Sequence, residues 1–154
     1  MNQQKQRLPL FLKDICLFIR IARFIAILPF LLRFSQLSSI LRLSFPGRVK
    51  IEPLLIQEEE KRKIIKFTDF LLGFRAPIFR STCLKRSLVL FKFLREIGVN
   101  VVINFGVSKY QTEEKLKLGH AWLTFGGMPV FSEEPLIESY RLCYIFPEET
   151  KIEK

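Results

Sequence analysis

The period of hydrophobic and polar positions changes once along this chain, near Gly98. Before it, apolar residues recur at helical spacing; after it, short β-branched and aromatic runs are separated by turn residues. Residues 83–97 place Leu84, Leu88, Phe91 and Ile97 near helical spacing, with Lys85, Arg86, Lys92 and Arg95 expected in solvent. Ser81 or Thr82 can cap this helix, and Gly98 closes it. Residues 54–73 predict a second helix, because Glu58, Glu59 and Glu60 come first, Lys61, Arg62 and Lys63 follow, and Gly73 ends the run.

Beyond Gly98, residues 99–107 (Val-Asn-Val-Val-Ile-Asn-Phe-Gly-Val) read as a strand. Residues 120–125 and 128–131 flank Gly126-Gly127, a strong hairpin signal, and residues 141–146 predict one more strand. Helices followed by a short meandering sheet predict an α+β domain. Its expected division is a basic, apolar helical segment over 1–50 and a core over 51–154, in one compact unit.

Residues 8–34 are very apolar, but Lys13, Asp14, Arg20 and Arg23 interrupt them and the longest uncharged run is 24–32. A bilayer-crossing helix needs about 20 apolar residues, and no small-residue cleavage site follows, so neither a span nor a signal peptide is expected. Lys13, Arg20 and Arg23 share a helix face. The expectation is a peripheral helix that packs on the rest of the domain and touches the inner membrane face or an acidic partner.

Charge sharpens that expectation. Residues 1–50 hold nine Lys/Arg against Asp14 alone, whereas residues 101–154 hold six against eight Glu. The basic residues of the first third are interleaved with Phe, Leu and Ile, which disfavours nucleic acid as the partner. Three cysteines (Cys16, Cys83, Cys143) without metal-type spacing, and a single histidine, argue against a zinc site and for a reducing, cytoplasmic compartment. No cofactor is implied.

The chemistry concentrates on two residues. Cys83 opens the helix over 83–97, where partial positive charge and free backbone N–H groups favour a thiolate. His120 is the only imidazole in the chain. A thiol at a helix start followed by one histidine on a strand is a layout that resembles papain-like and transglutaminase-like enzymes, in which an imidazole completes the nucleophile–base pair. An orienting acceptor for His120 should lie on the adjacent strand. With a two-residue turn at Gly126-Gly127, Phe125 faces Met128 and His120 faces Glu133. A bulged turn would bring Ser132 or Glu134 there instead. Pro129 cannot donate a ladder bond and predicts an edge strand. The Cys83 N–H is a plausible oxyanion donor, and no Gln lies close before Cys83 to supply a side-chain donor.

Arg80-Ser-Thr-Cys-Leu-Lys-Arg-Ser-Leu-Val-Leu, then Gly106-Val107, then Gly119-His-Ala-Trp-Leu123, closely resembles the lasso peptide leader peptidases, the transglutaminase-like "B protein" family of lasso peptide biosynthesis. The resemblance covers residues 80 to about 135. It implies a cysteine protease that removes the leader from a ribosomally made precursor peptide, working beside a separate leader-recognition protein and an ATP-dependent macrolactam cyclase. Cys83 and His120 carry over directly. The family's usual Asp does not, since Ser132 falls near that position and Glu133 follows it. The competing reading is a non-catalytic transglutaminase-like module that docks a peptide or a membrane.

Overall fold

The computed structural model describes residues 3–45, 54–74, 82–109, 119–130 and 138–147, with side chains from residue 11 in the first segment and from residue 55 in the second. Helices α1 (Gln3–Phe34), α2 (Leu37–Ser44), α3 (Leu54–Leu72) and α4 (Cys83–Glu96) precede strands β1 (Val101–Ser108), β2 (Gly119–Phe125), β3 (Met128–Val130) and β4 (Tyr140–Phe146). The strands form one antiparallel sheet in the order β3-β2-β1-β4. The α+β expectation and the helix-then-sheet order agree with this.

Helix α4 is bounded by chemistry at both ends. Thr82 is extended (φ −134°, ψ 151°), and its Oγ1 accepts the Lys85 backbone N–H at 3.2 Å, which satisfies one donor outside the helical ladder. At the other end Gly98 adopts φ 86°, the Gly98 N–H donates to Arg95 O at 3.1 Å, and the Val99 N–H donates to Leu94 O at 3.0 Å. This pair of bonds is the Schellman closure, and its left-handed residue is a glycine because a Cβ there is costly.

Helix α4 also carries the core. It packs against α1, α2 and α3 on one side and against β1 and β2 on the other. Leu88, Phe91, Phe93 and Leu94 are buried in one cluster with Ile21, Ile25 and Leu28 of α1, Ile64 of α3, Ile103 of β1 and Leu123 of β2. Each such side chain gains roughly 1.5–3 kcal/mol by leaving water. This enclosure corrects one expectation. Lys85, read as a solvent residue, is buried at 8% exposure, because neighbours on both sides cover the helix around most of its circumference.

The hairpin follows the turn residues. Gly126 (φ 57°) and Gly127 (φ 81°) both take left-handed conformations, as a type I′ turn requires. Phe125 pairs with Met128, Thr124 with Pro129 and Leu123 with Val130, the register expected for a two-residue turn. Strand β3 lies at the sheet edge, where a proline without an N–H is tolerated.

Helix α1 runs unbroken for 32 residues, and Phe11–Phe34 is long and apolar enough to cross a membrane by length and composition. The interrupting charges therefore do not exclude a span on those grounds, contrary to the sequence reading. Its packing is nonetheless that of a core helix on one side: Ile21, Ile25 and Leu28 are fully buried. Arg20 pairs with Glu96 of α4 at 2.6 Å and sits 5.5 Å from the Phe93 ring, and Asp14 pairs with Lys63 of α3 at 3.0 Å.

Candidate active site

Cys83 is the first residue of α4 and is half-buried, whereas Cys16 and Cys143 are exposed. The Thr82 cap takes the Lys85 N–H, and the Cys83 and Leu84 N–H groups precede the helical ladder at the positive end of the helix dipole. A carbonyl oxygen brought to Cys83 would meet those donors, which is the requirement for stabilising a developing oxyanion.

Ser87 ties this helix to the histidine strand. It lies one turn after Cys83, about 6 Å along the helix axis and on the same face. Its buried hydroxyl donates to the Ala121 carbonyl at 3.0 Å. Ala121 follows His120 directly, two residues ahead of the first residue of β2 that pairs with β3. The bond therefore joins α4, one turn after Cys83, to the β2 backbone one residue after His120.

The His120 ring is held by aromatics. It stacks on Tyr140 of β4 (centroids 5.0 Å apart, planes 27° apart) and on Trp122 (5.8 Å, 17°), and its Nε2 is shielded from solvent. Side chains alternate along β2, so His120, Trp122 and Thr124 share a face, while Leu123 turns to the helical core. On the His120 face the buried Asn104 donates its Nδ2–H to Thr124 Oγ1 at 3.0 Å.

Gly106 makes that packing possible. It pairs with His120 across β1–β2, and a Cβ there would lie 2.9 Å from the Trp122 ring and 2.9 Å from the Arg141 carbonyl. Glycine is the residue that lets the indole lie against the strand. A glycine inside a β-branched run signals such a close approach. Tyr140 carries no comparable signal: it lies 20 residues from His120 and reaches it only through the β1–β4 pairing of Ser108 with Tyr140.

The proposed orienting residues, Glu133 with its alternatives Ser132 and Glu134, lie outside the described residues.

A family profile described as the transglutaminase-like superfamily matches residues 25–144, most of the chain and both Cys83 and His120. The chain belongs to the transglutaminase-like superfamily. Members of this superfamily commonly have cysteine protease or transglutaminase activity. No curated protein and no solved structure gives a significant match. The match begins inside α1 and ends within β4.

Proposed function

We propose that this transglutaminase-like domain is a cysteine peptidase that cleaves the leader from a ribosomally synthesised lasso peptide precursor. The observation that carries the reading is the Ser87–Ala121 hydrogen bond, which holds a helix starting at Cys83 against a strand starting beside the only histidine. The resemblance of the ordered motif from Arg80 to Leu123, which lies within the superfamily match, supports a leader peptide as the substrate.

In the proposed reaction, the Cys83 thiolate attacks the carbonyl carbon at the leader–core junction, with the Cys83 proton held by His120. The tetrahedral oxyanion is met by the N–H groups of the α4 start. Collapse breaks the C–N bond, His120 gives the proton to the departing amine, and the core peptide leaves with a free N-terminus. The leader remains on Cys83 as a thioester. Water, deprotonated by His120, then releases the leader with a free carboxylate. The free amine of the core is the group that an ATP-dependent cyclase would join to a side-chain carboxyl. A separate leader-recognition protein presents the precursor.

The test is a cleavage assay with the precursor peptide, the purified full chain and the recognition protein, read by mass spectrometry. Wild type should yield leader and core fragments. Cys83→Ala and His120→Ala should yield neither while keeping the wild-type circular dichroism spectrum, since Ala preserves helix propensity at position 83. Cys16→Ala and Cys143→Ala, both at exposed positions, should cleave normally. Cleavage by Cys83→Ala would sink the reading.

A further inference from the structure

We propose that α1 docks this protein, by its outward face, onto the surface of an anionic lipid bilayer. The inference is independent of the peptidase reading. The inner side of α1 is spent on the core, where Ile21, Ile25 and Leu28 have no exposure. The opposite side is also apolar. Leu12, Ile19, Phe30 and Phe34 lie on one stripe and are 54%, 50%, 62% and 78% exposed, with Ile15 and Ile27 beside them. Soluble surfaces rarely leave so long an apolar run open.

The stripe spans residues 12–34, about 34 Å of straight helix. That shape suits a plane better than a groove. On the flank of α1, Phe18 meets Phe70 of α3 (58% exposed) at 6.2 Å, and Phe70 lies 5.2 Å from Phe74 (51% exposed). A helix lying in a bilayer interface buries its apolar face about 5–10 Å below the headgroups and keeps bases at the rim.

Charge selects the lipid. Lys13 and Arg33 of α1 are exposed at the sides of the stripe, Arg23 is exposed within it one turn after Ile19, and Arg42 of α2 is exposed as well. The only acid in residues 1–50, Asp14, is held by Lys63 at 3.0 Å. The surface therefore presents bases beside apolar side chains, complementary to anionic headgroups. A bilayer-crossing arrangement fits less well. It would strip Ile21, Ile25 and Leu28 from the core and break the Arg20–Glu96 and Asp14–Lys63 pairs.

The experiment is co-sedimentation of the full chain with phosphatidylcholine vesicles and with vesicles that also contain phosphatidylglycerol. Binding should require phosphatidylglycerol and fall as salt rises, because the Debye length shrinks to about 3 Å at 1 M. Arg23→Gln combined with Arg33→Gln should weaken binding on the order of twentyfold or more, at roughly fivefold per basic residue near the surface. Ile19→Glu combined with Phe30→Glu should abolish it; Ile19→Gln with Phe30→Gln is the milder pair, and unchanged circular dichroism shows that the fold survives. Equal binding to both vesicle types, release only by detergent, no binding by the folded protein, or a stable dimer broken by Ile19→Glu in place of vesicle binding would each overturn the proposal.

Discussion

Two small residues set the geometry around His120. Ser87 contributes one buried hydrogen bond, but that bond fixes how the helix of Cys83 meets the strand of His120. Ser87→Ala leaves the Ala121 carbonyl without its donor in a buried place, a loss of about 1–3 kcal/mol. Under the peptidase reading kcat should fall more than KM rises, because the nucleophile–base alignment suffers and the peptide-binding surface does not; urea denaturation and precursor kinetics measure the two effects. Gly106→Ala drives a methyl into the Trp122 ring and the Arg141 carbonyl. Overpacking of this kind costs roughly 1–3 kcal/mol. A lower melting temperature together with changed Trp122 fluorescence is expected, and an unaltered melting curve would show that the indole moves aside freely.

At the scale of elements, the expectation that Glu133 orients the imidazole rests on the two-residue turn between β2 and β3, and the described pairs from Phe125–Met128 to Leu123–Val130 have the register of such a turn. Glu133→Gln should lower turnover less than His120→Ala does, since orienting a base matters less than possessing one. Silence of Glu133→Gln combined with damage from Glu134→Gln would mean that the pairing slips by one residue past Val130. The hairpin is also where the sequence is most readable. Gly126-Gly127 dictates a two-residue turn and Pro129 dictates an edge, so the β2–β3 pairing, its register and the edge position of β3 follow from local rules. Helix α4 is legible at its ends through Thr82 and Gly98, but not around its girth. Lys85 reads as a surface residue from its charge, and only the tertiary enclosure of α4 shows that it is covered. The Tyr140–His120 stack is invisible to any local pattern, because it depends on a pairing between strands far apart in the chain.

For the molecule as a whole, the division of the chain at residue 50 does not divide the core. Residues from α1 and α2 share one cluster with α3, α4, β1 and β2, and Phe24 of α1 meets Phe93 of α4 edge-on at 6.1 Å. The two sides of α1 should therefore respond oppositely to truncation. Ile25→Ala opens a cavity in the shared core and should cost about 2–5 kcal/mol. Ile19→Ala, half-exposed on the outward face, should fall within about 0.5 kcal/mol of wild type. Chemical denaturation of the two variants separates them, and equal losses would mean that the outward face is packed against something in the folded protein.

The most direct test of the central claim is to catch the acyl-enzyme. A chain carrying Cys16→Ser and Cys143→Ser keeps Cys83 as its only thiol. Acid quenching during precursor turnover, followed by intact mass measurement and peptide mapping, should show the protein heavier by the leader less one water, with the added mass on the peptide that contains Cys83. Continued cleavage with no such adduct, or an adduct mapped to any other residue, would contradict the assignment of Cys83 as the nucleophile.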